Sequence, residues 1–279
     1  MLSKEIFNIL FHLVKMQPWL AEKSLEVEHL LFNECESNNE KNLILNLLNR
    51  FKYITHEHFS EALNQIVEKI TSEEKYEVDN TIIAATTIDS SADSAQYVLY
   101  AMKPIFQKYD WDTPKLINNT NRIVREFPSY SNVVFVDEFI GSGKTMLGRI
   151  SKLKRDLKDK DISEYSLRIY AIAACKTGAQ LLEQEGIELF SSITLAKGIS
   201  DYYIEDKEEK LDLMRRLESL LLPEFEGRPM PSMGFGKVEA LYVRENGNTP
   251  NSVFPIFWWR YYADRSKRPT ILIRSMGDA

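Results

Sequence analysis

The chain has 279 residues, 44% of them hydrophobic and 27% charged, with 35 Lys and Arg against 41 Asp and Glu for a net charge of −6. That length and balance suit a globular protein with a large core and room for more than one domain. The acidic bulk excludes a whole-protein field that would draw in nucleic acid or an anionic membrane.

Two cysteines, Cys35 and Cys175, lie far apart in the sequence. Their separation excludes a disulfide framework and a CxxC zinc site, and it suits a reducing cytoplasm. No apolar run approaches the ~20 residues of a membrane span. The opening MLSKEIFNILFHLVK carries Glu5 and lacks a small-residue cleavage site, so it reads as a helix and not a signal peptide. All four histidines (His12, His29, His56 and His58) fall early in the chain. A histidine-dependent triad would have to borrow from there. The pair His56 and His58 has no cysteine partner at zinc spacing and reads as a solvated helix start.

Helical periodicity runs through residues 1–76. Ile6, Ile9, Leu10 and Leu13 share one face; Leu43, Ile44, Leu47 and Leu48 share another; Phe59, Leu63, Ile66 and Ile70 share a third. This predicts a helical N-terminal region. The pattern changes at residues 81–87, TIIAATT, a short β-branched run expected to be a buried strand. A polar loop, IDSSADS, follows at residues 88–94, and then a helix with Val98, Leu99, Met102, Ile105 and Phe106 on one side. Thr113-Pro114 reads as a helix start, Thr as cap and Pro in the first turn. That predicts a helix ending at Pro128, with no mobile loop over residues 110–127. Residues 132–136 form the next buried strand and feed directly into GSGKT.

A Lys-rich helix is expected over 144–159, a strand over 167–173, a helix near 178–185 and a strand over 188–195. Alternating buried strands and helices argue for an α/β core with a parallel sheet over residues 77–204. In such sheets ligands bind beyond the carboxyl ends of the strands. IDSSADS and DEFIGSGKT both stand at such ends. Residues 205–279 read as a C-terminal extension: an amphipathic helix over 207–222, a Pro/Gly-rich loop, a strand over 237–243, and an Asn/Pro/Trp-rich tail that packs on the core.

The stretch VVFVDEFIGSGKT at residues 133–145 fits two kinds of phosphate site. A Walker loop has the form GxxxxGK[ST], which places its first glycine at position 138. That position holds Glu138, a carboxylate where phosphate must approach, so a P-loop NTPase is the lesser alternative. The second reading is a ribose-phosphate pocket. Four apolar residues bury a strand, Asp137 and Glu138 emerge at its end to accept hydrogen bonds from ribose hydroxyls, and a Gly/Ser loop opens a helix whose backbone N–H groups meet a phosphate.

This stretch resembles the signature of the type I phosphoribosyltransferases. The resemblance implies that Asp137 and Glu138 hold the ribose hydroxyls, and that Gly141, Ser142, Gly143, Lys144 and Thr145 cradle the 5′-phosphate of phosphoribosyl pyrophosphate (PRPP). It departs from the common pattern at Glu138, usually Asp, and at Phe139 and Gly141. It implies Mg2+ as cofactor, with the earlier loop binding pyrophosphate through Ser90, Ser91 and Ser94, and with Asp89 and, indirectly, Asp137 near the metal. Ser and Asp before a helix are equally the residues that cap it.

The tail GFGKVEALYVRENGNTPNSVFPIFWW is similar to that of a branch called PRTase-CE, found as effectors of bacterial conflict and anti-phage systems. The matching residues are Gly234, Gly236, Asn248, Pro250, Asn251, Pro255, Ile256 and Trp258. The likeness implies that Asn248, Asn251 and Trp258 face a nucleotide or base ligand. The alternative is that they fix a loop. It further implies partners: a winged-helix protein and, in retron-associated members, a reverse transcriptase with its nucleic acid. No membrane is expected. A non-catalytic nucleotide-binding sensor with a degenerate site is the competing class. Residues 260–274 hold five positive charges against one negative, a candidate contact for nucleic acid or protein.

Overall fold

The computed structural model describes residues 4–87 and 93–278. In chain order the elements are α1 (Lys4–Met16), α2 (Ser24–His29), α3 (Asn38–Asn49), β1 (Lys52–Ile54), α4 (His56–Thr71), β2 (Thr81–Ala85), α5 (Ser94–Phe106), β3 (Lys115–Ile117) and β4 (Asn132–Ile140). They continue with α6 (Lys144–Lys158), β5 (Ser166–Cys175), α7 (Lys176–Gln184), β6 (Glu188–Leu195), α8 (Lys207–Glu218), β7 (Glu224–Phe225), β8 (Arg228–Pro229) and β9 (Tyr242–Arg244). The chain gathers into two units, residues 56–195 and residues 1–55 with 196–279.

The first unit is the expected α/β layer: a five-stranded parallel sheet in the order β3-β2-β4-β5-β6. β2 is buried at every residue, and β4 is buried from Asn132 through Val136. Strands covered on both faces read as continuous apolar runs, which is how TIIAA and NVVFV appear in the sequence. On one face α6 presents Met146, Ile150, Leu153 and Leu157, spaced for a helical stripe, against Ile82, Ala84, Val133, Phe135 and Ile169. On the other, α5 packs on β2 and β4, and α4 packs on β5 and β6. The sequence pattern groups α4 with the N-terminal helices, whereas its apolar face closes the sheet. That burial is why the contacts assign it to this unit.

Sheet order matters for function. From β2 the chain moves outward to β3, then returns to place β4 on the opposite side of β2. The direction of winding therefore reverses between β2 and β4. Loops leaving their carboxyl ends diverge there and open a crevice.

The helix expected over residues 113–127 is not formed. β3 occupies Lys115–Ile117 and pairs in parallel with Ile82–Ala84, and a 3-10 turn follows at Thr120–Arg125. Pro114 disfavours α geometry at Thr113, so the dipeptide introduces an edge strand. Asn119 caps the turn by accepting from the Asn121 N–H at 2.9 Å, and Lys115 pairs with Glu126 at 2.6 Å. Ile117, Ile123 and Val124 are spaced as on a helix, yet they fill the sheet's apolar cluster from a strand and a turn.

In the second unit, β1 and β9 form a parallel pair. The strand expected over 237–243 shrinks to β9, because Lys237 and Glu239 take left-handed φ values of 53° and 54° that break extended geometry. The buried carboxylate of Glu239 instead accepts the N–H groups of Ile199 and Ser200 at 2.9 and 2.7 Å. Two of the five basic residues of the tail are buried, while Arg260, Arg265 and Lys267 are exposed. Arg268 is buried, its guanidinium forked onto Glu34 at 3.0 and 2.6 Å and donating to the carbonyls of Trp259 and Ile256. Arg274 is buried against Trp258. Tyr262 also donates to Glu34 at 2.8 Å. So Arg268 and Arg274 do not belong to a basic face, and the exposed part of the cluster is Arg260, Arg265 and Lys267.

Removing one partner of such a pair strands a buried charge. Arg268→Met is expected to destabilise the protein by about 3–5 kcal/mol in urea denaturation, and Glu34→Leu combined with Arg268→Met to recover much of that loss.

Candidate functional site

β4 carries the acids to the carboxyl edge of the sheet. The sequence places them where the strand ends, but the strand runs on through both to Ile140. The apolar cluster takes Val133 and Phe135 from β4 and then Ile140, and Ile169 and Ala171 from β5 and then Ala174. Alternation thus shifts phase across residues 137–139, where the polar pair interrupts the run. Asp137 remains partly open to solvent, while Glu138 is 4% exposed.

The carboxylate of Asp137 is held from two sides. The Thr86 hydroxyl, just past the end of β2, donates to Oδ2 at 2.8 Å, and the Glu138 N–H donates to Oδ1 at 2.8 Å. Thr86 and Asp137 therefore straddle the β2/β4 switch. Arg149, on α6, approaches Asp93 to 4.0 Å, and its Nε is buried without a hydrogen-bond partner. Burial pushes the Asp137 carboxyl up to about 6 from 3.8. The Thr86 hydrogen bond opposes the rise, Asp93 adds to it by repulsion, and Arg149 and the Glu138 N–H oppose it.

Three residues, Gly141–Ser142–Gly143, join β4 to α6. Gly143 is the N-cap at φ 76°, in the left-handed region, and offers no side chain to cap the helix. The first-turn N–H groups of a 15-residue helix thereby lack a side-chain cap from Gly143 at the carboxyl edge of the sheet. Ser142 and Gly143 are buried, whereas Lys144 and Thr145 are exposed. A Walker loop would need residues 138–140 to curl around phosphate, but here they are strand, so the GKT ending is not part of such a loop.

The loop is braced from behind by α7. A Cβ on Gly178 would lie 2.3 Å from the Gly141 carbonyl and 3.0 Å from the Gly143 nitrogen, and one on Gly143 would lie 2.9 Å from the Gly178 carbonyl. Only glycine at both positions lets helix and loop approach this closely.

The other expected positions divide. Asp89, Ser90 and Ser91 lie outside the described residues. Ser94 is exposed at the first position of α5, and the cap is Asp93, which accepts from Ala95 and Gln96 N–H at 2.8 and 3.2 Å. Asn248 is exposed and its Oδ1 accepts from Ser275 N–H at 2.8 Å; Asn251 is half-buried. Trp258 is fully buried, its Nε1 donating to the Val253 carbonyl at 2.9 Å. That enclosure leaves no ring face for a base, and corrects the stacking role expected from the family pattern.

Thr86, Asp93, Arg149 and Gly178 were not singled out in the sequence. A signal existed for two of them. Arg149 stands four positions after Thr145, one turn along the same helical face. Gly178 follows the end of a buried strand in CKTGAQ. Thr86 and Asp93 carry no distinctive local pattern.

Mg2+ is bound by one or two carboxylates together with waters and substrate phosphates, not by a dedicated cage. The described residues contain no cluster of three or more acidic, His or Cys ligands. They do bring Asp93 close enough to raise Asp137, a repulsion that Arg149 only partly offsets. A divalent ion arriving with a phosphorylated ligand fits that electrostatic setting.

Among the described residues no helix is long and apolar enough to cross a membrane. The PRTase-CE family model matches residues 31–266. Similar solved structures include orotate phosphoribosyltransferase from Aeropyrum pernix, at 18% identity over 50% of this chain and 71% of that one, with a TM-score of 0.33. The Helicobacter pylori xanthine-guanine-hypoxanthine phosphoribosyltransferase shows 10% identity over 52% and 83%, with a TM-score of 0.34. A Mycobacterium tuberculosis orotate phosphoribosyltransferase in complex with PRPP shows 13% identity over 63% and 89%, with a TM-score of 0.31. No curated protein matches the chain.

Because the folded-state carboxyl of Asp137 lies above its unfolded value, it favours folding below about pH 4 and loses that contribution as pH rises through about 6. Asp137→Asn is therefore expected to exceed the wild type in stability at pH 8, by roughly 1–3 kcal/mol, with the gap closing at pH 4. Thermal denaturation across that range measures it.

Proposed function

The chain belongs to the PRTase-CE family, and on that premise we propose that it binds the phosphoribosyl end of PRPP or a nucleotide at the β2/β4 switch and acts as a phosphoribosyltransferase. The observation that carries this reading is the pairing of a carboxylate at the β2/β4 switch, Asp137, with a helix N-terminus three residues beyond its strand whose N-cap, Gly143, has no side chain to cap it. Hydroxyl acceptors on one side and phosphate donors on the other are the two halves of a ribose 5-phosphate site.

In this reading the 5′-phosphate sits on the backbone N–H groups of residues 141–145, with the exposed Lys144 adding charge. Asp137 accepts from a ribose hydroxyl, held rigid by Thr86. Glu138, buried next to it in the chain, is the acid that the family pattern assigns to the second hydroxyl. Ser94, at the start of α5, stands with the pyrophosphate side.

As pyrophosphate leaves, C1′ gains oxocarbenium character, and a negative group held nearby stabilises it without a covalent bond. Mg2+, when bound, neutralises the leaving pyrophosphate. The protein's own residues then mainly orient the ribose. That division of labour needs no His or Cys nucleophile.

The setting we propose follows from the family resemblance of the tail: a bacterial anti-phage effector in the cytoplasm, held silent by partner proteins such as a winged-helix protein or a retron reverse transcriptase with its nucleic acid.

The test is PRPP binding by the purified chain with Mg2+, followed by pyrophosphate release in the presence of candidate bases. Asp137→Ala is expected to abolish both while the fold persists. Lys144→Ala, which destroys a Walker site, is expected to leave PRPP binding largely intact. Unchanged PRPP binding in Asp137→Ala would refute the reading, and binding with no release under any base would identify a sensor in place of an enzyme.

A further inference from the structure

α6 carries an unbalanced charge. Its sequence, KTMLGRISKLKRDLK, holds six Lys or Arg residues against one acid, Asp156. The Thr120–Arg125 turn packs against this helix and adds Arg122 and Arg125, both exposed. Helix and turn together carry a local charge of +7 in a chain whose net charge is −6. Burial sorts the helix into faces. Met146, Ile150, Leu153 and Leu157 turn inward, while Lys144, Gly148, Ser151, Lys154, Arg155 and Lys158 are exposed. At about 100° per residue, Lys144, Ser151, Arg155 and Lys158 fall within about 60° of one another and form an outward row about 21 Å long. Lys152, on the flank, donates to the Asn121 side chain and ties the helix to the turn.

The protein does not neutralise these cations. Among the described residues, Arg122, Arg125, Lys154, Arg155 and Lys158 have no ion-pair partner. α8, also rich in charge, differs: Lys210 pairs with Asp206 and Glu209 at 3.0 and 3.1 Å, and Arg215 pairs with Asp212. On α6 the like charges Lys154 and Lys158 stand one turn apart, a spacing that costs stability. The helix dipole favours Arg155 and Lys158 in the last turn but gives no reason for Lys144, Arg122 or Arg125. Nothing apolar accompanies the row. Among the described residues, no exposed large hydrophobic side chain lies on α6 or on the turn. Protein partners are anchored by buried aromatic and aliphatic groups, and membrane surfaces take up apolar side chains. Phosphate needs only cations and room. A Cβ on Gly148 would meet nothing within 4 Å, so Gly148 and Ser151 leave low, open ground between Lys144 and Arg155.

We propose that the outward face of α6, with the Thr120–Arg125 turn beside it, binds the phosphodiester backbone of a nucleic acid. The cations meet phosphate oxygens, and the small residues let the strand lie close to the helix. With phosphates about 3.4 Å apart along one strand of a duplex, the row faces about six of them. Such contacts position a strand without reading its bases. The field is local to this face, so the acidic remainder of the chain does not oppose it beyond a Debye length. The surface meets the proposed ribose-phosphate site only at Lys144 and does not rest on that reading.

The test is fluorescence anisotropy of the full chain with two labelled probes of about 20 nucleotides, a DNA duplex and a single-stranded RNA, at about 50 and 200 mM salt. At least one probe is expected to bind, with an affinity that falls steeply as salt rises, and the stronger of the two identifies the strandedness. The triple variant Lys154→Gln, Arg155→Gln and Lys158→Gln changes exposed side chains only. It is expected to weaken binding by about tenfold or more and to lower the salt slope by about two to three. Removing the same charge from α8 with Lys207→Gln, Arg215→Gln and Arg216→Gln is expected to leave binding at the wild-type level, as is Arg155→Lys. The proposal is overturned if neither probe binds at the lower salt, if the α6 variant binds as the wild type does, or if the α8 variant weakens binding equally. It is also overturned if polyglutamate of equal charge competes as well as the unlabelled probe, which would mark the face as a contact for an acidic protein.

Discussion

Asp137 is a charge placed within a strand whose preceding residues are wholly buried, and the carboxyl edge is built around holding it there. Its two oxygens are met by a hydroxyl from the neighbouring central strand and by the next backbone N–H. Neither fully offsets the cost of burial, since the carboxyl stays raised to about 6. The arrangement exists because β2 and β4 are adjacent but not consecutive in winding. The switch puts Thr86 and Asp137 beside each other and lets their loops diverge.

The second constraint is steric. A three-residue loop must turn from β4 into α6 while α7 packs behind it, and the Gly143–Gly178 approach makes that possible. The loop is thus preorganised, with its N–H groups fixed before any ligand arrives. Asp137 on one side and the helix start on the other are both positioned by the rigid sheet, which is what a site relying on orientation more than on covalent catalysis requires.

Much of the sheet was legible because IIAA, VVFV and IYAIA are continuous apolar runs, the mark of strands buried on both faces. The helix α6 was legible from its Lys-rich stripe pattern, and the short turn before it from its Gly/Ser composition. Residues 113–127 were misread because a capping Thr-Pro and helically spaced apolar residues fit a helix as well as they fit an edge strand followed by a turn. Pairing with β2 decided between them, and no local pattern reports pairing. α4 looked like one more N-terminal helix because an apolar face does not say which surface it covers. Gly178 escaped notice since its role depends on a partner 35 positions earlier in the chain, Gly143. Trp258 and Arg268 were read as available groups. Composition shows a Trp-rich basic tail, but only the fold shows that Trp258 is sealed and Arg268 is consumed by Glu34.

The most direct test of the site is a backbone and carboxyl NMR titration of the chain with ribose 5-phosphate, the ligand half that the β2/β4 crevice is proposed to hold. The account predicts saturable shifts in the amides of residues 141–146 and in the Asp137 carboxyl, with the sheet's buried core amides unmoved. Saturable binding that leaves both the loop amides and the Asp137 carboxyl unchanged would contradict it.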